Sequence, residues 1–214
     1  MANRSTSGFG LRAAMKLGNS PAISGQSKYA IKSGLGVGIF KGNPASIQLA
    51  GDTGYIQDSA FSTTDDGNDG GIDFTTANDA LLVGVHNGVF FINGTTNKPT
   101  FANSVAASTT FGTNPNTNST DGVAFVNDDP DQEYVVKADA AVGQAIFGLC
   151  GNINDFAAGD AKDGASTATF DSGTQGETKM FRIVRSAEDP DNEDLTAAGA
   201  NIIVVINAAA NTYR

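Results

Sequence analysis

The stretch ALLVGVHNGVFFINGTTNKPTF, residues 80–101, decides the fold class of this 214-residue chain. Its apolar run is rich in branched and aromatic side chains, is interrupted by glycine and is closed by turn residues, which is typical of a β-strand. Gly84 and Gly88 within the run predict a bend, a bulge or the close approach of another backbone. Because a strand buried on two sides needs further structure on each face, the sequence predicts a mainly β protein.

Short apolar segments between turn residues predict further strands along the rest of the chain. They lie at residues 29–31, 37–40, 45–49, 54–56, 123–126, 133–136, 167–170, 180–184 and 200–207. Segment 200–207 has no polar alternation and is predicted to be buried on both faces. Residues 138–149 form the one predicted helix. We therefore expect a single antiparallel β-sandwich or barrel-like domain with at most one or two short helices.

The pattern Asp-Pro-Asp occurs twice, at residues 129–131 and 189–191, each time between two predicted strands. Proline presets φ and aspartate accepts local backbone hydrogen bonds, so both copies predict turns. The first copy predicts a hairpin between segments 123–126 and 133–136. Two further interpretations stay open, namely two similar subdomains packed together and a weak cation site at either turn.

The charge is distributed unevenly along the chain. Residues 1–51 carry six basic side chains and no acid, whereas the rest carries seven basic and 23 acidic groups, a net charge of −16. We expect residues 1–27 to form an extended N-terminal arm before a β domain at 28–214. The arm is expected to order only on a partner surface. Its charge favours an acidic surface, which is its own body, a neighbouring copy or another protein. The acidic body disfavours nucleic acid as a partner.

No catalytic or metal-binding pattern emerges from the sequence. His86 is the only histidine and Cys150 the only cysteine, which excludes an internal disulfide and a zinc cluster. We expect Cys150 to be a small buried hydrophobic residue and His86 a structural one. The Asp clusters fail the spacing of a calcium loop, and no nucleophile elbow is present. We expect no enzyme, no cofactor, no secretion signal and no membrane-spanning helix.

Six segments together resemble small virion structural proteins of tailed bacteriophages. They are SGFGLRAAMKLG (7–18), YAIKSGLGVGIFKGNP (29–44), LLVGVHNGVFFINGTTNKPTF (81–101), VAFVNDDPDQEYVVKA (123–138), FRIVRSAEDPDN (181–192) and ANIIVVIN (200–207). The resemblance implies a head decoration, or cement, protein on the capsid exterior, made in the host cytoplasm. Such proteins commonly form homotrimers that bridge subunits of the major capsid protein.

This resemblance and the basic arm together predict the residues that contact the capsid or a neighbouring subunit. They are Phe9, Leu11, Arg12, Met15, Lys16 and Leu17. Two other functions remain open. One is a tail or fibre-base component, which would be present in fewer copies per particle. The other is a module that binds host-surface glycans through the polar loops at 61–79 and 107–121.

Overall fold

The computed structural model describes residues 3–18, 21, 25–47, 54–58, 82–154, 159–176 and 179–208. These residues form fourteen β-strands and one 3₁₀ turn, with no α-helix among them. The strands are β1 Arg12–Lys16, β2 Gln26–Ile31, β3 Ile39–Phe40, β4 Pro44–Ile47, β5 Ile56–Asp58, β6 Leu82–Ile92, β7 Pro99–Ala102, β8 Ser104–Val105, β9 Gly122–Asn127, β10 Gln132–Lys137, β11 Cys150–Asn154, β12 Thr169–Gln175, β13 Phe181–Ser186 and β14 Asn201–Ile206. The antiparallel sheets pack against each other in a β-sandwich-like arrangement, which confirms the predicted fold class.

The strands are arranged in three antiparallel sheets. Sheet I has the order β1-β10-β14-β13-β11-β12, and sheet II has the order β2-β9-β6-β4-β5, with β7 also paired to β6. The small sheet III pairs β3 with β8. A single bridge between Ala138 and Phe170 brings β12 back towards the end of β10, so sheet I is curled without being a closed barrel.

Strand β6 organises sheet II, as the sequence predicts. It pairs with β9 along one side and with β4 and then β7 along the other. Nine of its eleven residues are buried. The predicted two-sided burial of segment 200–207 is also confirmed, because all six residues of β14 are buried between β10 and β13.

The two glycines of β6 have the roles expected of them. A Cβ on Gly84 would lie 2.0 Å from the carbonyl oxygen of Asn127 in β9, so the two backbones approach too closely for any side chain. Gly88 has a φ of +149° and follows a bulge at Asn87, where the register with β9 shifts. Glycine adopts this φ without the steric cost that a Cβ brings.

The apolar core consists of two clusters. The first fills the curled sheet I and also takes Leu82 and Val85 from β6. The second lies between sheet II and sheet III and includes Val83 and Val89 from the same strand. Strand β6 therefore contributes to both clusters.

The predicted helix at 138–149 is wrong. This segment contains only a 3₁₀ turn, Gln144–Ile146, and none of its described residues is α-helical. Gly143 and Gly148 have φ angles of +65° and +91°, which lie outside the helical region. The N–H of Val142 donates to the carbonyl of Leu195 instead of a helical partner.

The predicted hairpin between residues 123–126 and 133–136 is also wrong. Strand β9 lies in sheet II between β2 and β6, whereas β10 lies in sheet I between β1 and β14. The first Asp-Pro-Asp turn therefore carries the chain from one sheet to the other. The hydroxyl of Tyr134 donates to the carbonyl of Asn127 at 3.0 Å and ties the two strands at this crossing.

Candidate functional site

The N-terminal segment, residues 3–18, lies against the body of its own chain. Strand β1 forms one edge of sheet I by pairing with β10. The N–H of Leu11 donates to the carbonyl of Gly42 at 2.8 Å, and the Leu11 side chain belongs to the first apolar cluster. The expectation of an arm that orders on a partner is thereby corrected, because the chain's own body supplies the surface. This was one of the three surfaces that the charge pattern left open.

Both Asp-Pro-Asp turns bind this basic segment. Arg4 forms an ion pair with Asp191 at 3.0 Å, and Lys16 forms one with Asp129. The backbone N–H of Arg4 donates to the carbonyl of Asp191, and that of Leu17 donates to Asp131. The two turns therefore hold the two ends of the segment. The first turn joins sheet II to sheet I, whereas the second joins two strands of sheet I. The positions of the two described turns therefore do not indicate two similar subdomains.

The predicted contact residues of the arm are not equally accessible. Burial in the core removes Leu11 from the set, because its side chain is enclosed by its own chain. Phe9 is half-buried, with the guanidinium carbon of Arg12 lying 4.2 Å from its ring centre. Met15 and Leu17 are each 47% exposed and remain accessible to another protein. These two exposed residues thus lie in and directly after β1, the strand at one edge of sheet I within the described residues.

An aromatic patch on sheet II was not predicted. It consists of Phe90 in β6, Phe101 in β7 and Phe125 in β9, and we call it the Phe patch. The ring centres of Phe90 and Phe101 lie 4.6 Å apart, and those of Phe101 and Phe125 lie 6.4 Å apart. Phe101 is 75% exposed, which is unusual for a large aromatic side chain. Phe90 and Phe125 face outward between buried neighbours along their strands. The sequence around them, VFFI and VAFV, is uniformly apolar and carries no signal of this alternation.

A polar cleft of about 500 Å³ lies between the N-terminal segment and β6. Its polar lining includes Arg12, Lys41, Gln26, His86 and Asn127, with no carboxylate among its lining residues. Nδ1 of His86 and Oδ1 of Asn127 are buried and lack a hydrogen-bond partner within the described ranges. The cleft therefore combines two cationic side chains with buried groups that have unused hydrogen-bonding capacity.

His86 is held as a neutral imidazole. Its Nε2 lies 3.2 Å from the carbonyl oxygen of Gln57, so Nε2 carries the proton and Nδ1 is an acceptor. Burial lowers the pKa of His86 to about 4, and the hydrogen bond to Gln57 opposes this shift only in part. In the described residues its ring hydrogen-bonds to a backbone carbonyl and not to a nucleophilic side chain, which suits a structural role.

This histidine gives folding a pH dependence with a defined sign. Because its pKa falls from the ordinary 6.5 to about 4 on folding, the unfolded chain binds the extra proton first. The free energy of unfolding is therefore highest above pH 6.5, where His86 is neutral in both states, and it decreases as the pH falls towards 4. We expect urea denaturation to show a loss of about 1 kcal/mol per pH unit between pH 6.5 and 5.

The control for this prediction is His86→Gln. No other side chain of the chain ordinarily titrates in this window, since His86 is the only histidine. The variant should have a lower free energy of unfolding at pH 7. That free energy should change little between pH 6.5 and 5. An unchanged slope in the variant would contradict the assignment to His86.

The described residues also show the surroundings of Cys150 and of the acidic side chains that the sequence raised as candidates for metal binding. Cys150 is buried in β11, as predicted. The described residues contain no group of three His, Cys, Asp or Glu side chains placed to hold a metal. Among them, too, no helix is both long and apolar enough to cross a membrane. The carboxylates of Asp129 and Asp189 accept hydrogen bonds from the backbone N–H groups of Asp131 and Asp191, which is turn chemistry.

Of the two polar loops considered for glycan binding, one lies within the described residues and one does not. Loop 61–79 lies outside the described residues. Loop 107–121 is described, and its Asn114 carbonyl accepts hydrogen bonds from the N–H groups of Thr117 and Asn118. Phe111 within it is buried and stacks on Phe91 with ring centres 4.8 Å apart. This loop is therefore anchored to the second apolar cluster.

In comparisons with known proteins, no family model, no curated protein and no solved structure matches this chain significantly.

Proposed function

We propose that this chain is a non-enzymatic structural protein of a tailed-bacteriophage particle that decorates the capsid by binding the outer surface of the major capsid protein lattice. The observation that carries the proposal is the Phe patch, an exposed aromatic surface on a sheet face. The resemblance of six segments to phage virion proteins supports the same function. The Phe patch is the proposed contact with the capsid.

The physical basis of this contact is the burial of apolar surface. Each Å² removed from water contributes about 25 cal/mol, and aromatic side chains are enriched at the centres of protein interfaces. Phe101 alone offers most of a large ring, since 75% of it is exposed. Many copies on one lattice would add weak individual contacts into substantial stabilisation of the shell. The acidic body would keep assembled particles apart in solution.

The N-terminal segment has a different role in this proposal from that of a free arm. Met15 lies in its edge strand β1 and Leu17 directly follows that strand, and both are about half exposed. An edge strand presents unpaired backbone groups that another chain can use. We assign this edge to the expected self-association as a trimer. The Phe patch on sheet II remains free to contact the capsid.

The variant Phe101→Ser tests the capsid contact. We expect it to bind capsids stripped of this protein at least tenfold more weakly than the unaltered chain, because the exposed ring provides the largest apolar surface of the patch. The melting temperature should change by only a few degrees, since the side chain is mostly in water already. Co-sedimentation with stripped capsids measures the binding, and calorimetry measures the melting temperature.

Leu149→Ser is the matched control, because Leu149 is also exposed, at 46%, but lies away from sheet II. It should bind capsids like the unaltered chain. Equal binding by the Phe101 variant would contradict the capsid contact. Loss of trimers in that variant, with capsid binding retained, would assign the Phe patch to self-association instead.

The polar cleft favours a second candidate, a module that binds host-surface glycans. Its buried acceptors, Nδ1 of His86 and Oδ1 of Asn127, suit the hydroxyl groups of a sugar. Its cations Arg12 and Lys41 suit an acidic sugar. Binding to acidic glycans on an array, lost in Lys41→Gln and without capsid association, would favour this candidate. A tail or fibre-base location would instead appear as few copies per particle.

A further inference from the structure

A buried lysine lies against a buried asparagine in sheet I. Lys137 is at the end of β10 and Asn192 follows the second Asp-Pro-Asp turn, and they are only 3% and 9% exposed. The Nζ of Lys137 lies 3.4 Å from the side-chain oxygen Oδ1 of Asn192. Nζ also donates to the carbonyls of Ser5 and Gly199, at 2.9 and 3.3 Å. A primary amine is thus held beside a carboxamide, away from bulk water.

Both polar atoms of the Asn192 carboxamide form hydrogen bonds with neighbouring groups. The backbone N–H of Ser5 donates to Oδ1 at 3.2 Å. The Nδ2 group donates to Oδ2 of Asp189 at 3.2 Å. Asn201 fixes this carboxylate, because its Nδ2 donates to the same oxygen at 2.6 Å. The Oδ1 atom of the carboxamide therefore faces the N–H donor of Ser5, and its Nδ2 atom faces the Asp189 carboxylate, which can accept a proton.

The ionisation of these groups suits a nucleophilic amine. Burial lowers the pKa of Lys137, and nearby Arg12 lowers it further, while Asp189 acts in the opposite direction. Hydrogen bonds from Asn192 and from the backbone of Asp191 lower the pKa of Asp189, which keeps it an acceptor. An amine attacks only after it has lost a proton, and burial makes that loss easier.

We propose that Lys137 and Asn192 form an intramolecular isopeptide bond. Nζ gives up a proton, for which the Asp189 carboxylate that accepts a hydrogen bond from Nδ2 of the same carboxamide is the final acceptor, and attacks Cγ of Asn192, forming the Nζ–Cγ bond. The negative charge that develops on Oδ1 is stabilised by the N–H of Ser5, as in an oxyanion hole. Collapse breaks the Cγ–Nδ2 bond, and Asp189 passes protons to the departing nitrogen.

The atoms and protons of this step balance without an external reagent. Of the three protons on the lysine ammonium, one remains on the new amide. The other two join the departing NH₂ group, which leaves as ammonium. No oxidant, reductant or cofactor takes part. Asp189 carries protons in turn and ends as the carboxylate with which it began.

The bond would add a covalent link between two parts of the chain that already meet through hydrogen bonds and apolar packing. It would tie the end of β10 to the connection between β13 and β14, at the place where Ser5 of the N-terminal segment docks. A covalent link resists mechanical and thermal stress that separates hydrogen bonds. This inference goes beyond the proposed function and does not depend on it.

The intact mass of the purified full-length chain tests the bond. We expect a mass lower than that of the sequence by one ammonia, and a branched peptide joining residues 137 and 192 after digestion. Lys137→Arg keeps the positive charge but should retain the full mass. A cyclised asparagine would also lose ammonia, but it would persist in Lys137→Arg and give no branched peptide.

Two outcomes overturn the proposal. One is the full sequence mass in the unaltered chain, with residues 137 and 192 recovered in separate linear peptides. The other is a loss of ammonia that survives in Lys137→Arg. The role of Asp189 is tested by Asp189→Asn, which should fold, as shown by an unchanged circular dichroism spectrum, but keep the full mass. Complete crosslinking in this variant would overturn the role given to Asp189.

Discussion

Replacing Gly84 by alanine is expected to lower the free energy of unfolding by about 3 kcal/mol. The added Cβ would lie 2.0 Å from the carbonyl oxygen and 2.8 Å from the carbonyl carbon of Asn127. These are backbone atoms of β9, which cannot move aside like the end of a flexible side chain. Relief of the overlap requires β6 and β9 to separate, and this disturbs the central pairing of sheet II. Urea denaturation measures the effect.

Gly36→Ala is the matched control for this prediction. A Cβ at Gly36 would meet no atom within 4 Å, and its backbone has no positive φ. Its effect on stability should therefore stay within about 0.5 kcal/mol. Equal stabilities of the two variants would show that β6 and β9 do not approach as closely at Gly84 as the structure has them.

Replacing Arg185 by methionine is expected to cost about 3 kcal/mol of folding free energy. The guanidinium of Arg185 donates to both carboxylate oxygens of Glu133, at 2.9 and 2.8 Å. The Glu133 side chain is only 1% exposed, whereas that of Arg185 is 36% exposed. The substitution keeps an apolar stem of similar length but leaves a buried carboxylate without its cation.

The position of this ion pair explains why β14 is buried on both faces. Glu133 is opposite Val205, and Arg185 is opposite Ile203, in the ladders on either side of β14. Residues opposite each other in a ladder share a face of the sheet. The pair therefore spans the strand on the face that carries Ile203 and Val205.

An exposed ion pair of the same chain provides the control. Arg4 and Asp191 lie 3.0 Å apart, but their side chains are 77% and 59% exposed. Arg4→Met should therefore change stability by no more than about 1 kcal/mol. If Arg185→Met were equally mild, Glu133 would have to be solvated in a way that contradicts its burial.

The predictions from sequence were most successful where burial dominates. The glycine-interrupted run in residues 80–101 and the unbroken apolar run ANIIVVIN both became central strands. In each case the side chains carry enough apolar surface that only a buried strand accommodates them. Cys150 was correctly predicted to be buried for the same reason.

Pairing between strands was less predictable, because contacts distant in sequence decide it. Strands β9 and β10 are separated by a short turn that suits a hairpin, yet they belong to different sheets. Local turn chemistry defines where the chain reverses or bends, but the partners of each strand depend on the surfaces it covers. The predicted helix failed similarly, because glycines with positive φ break residues 138–149.

The contacts of the N-terminal segment and the Phe patch were likewise only partly predictable from the sequence. The segregation of charge indicated correctly that the basic N-terminal segment binds an acidic surface, but it left the identity of that surface open. The ion pairs of Arg4 and Lys16 place it on the chain's own turns. The Phe patch was missed because Phe101 comes from an edge strand whose pairing with β6 is not evident from the sequence.

The proposed capsid decoration is tested most directly by electron cryo-microscopy of particles of the phage that would encode this chain. Capsid decoration predicts density for the two large sheets on the outer surface of the head, in hundreds of copies, with the Phe patch turned towards the major capsid protein. Density confined to the tail, or none on the particle, would contradict it.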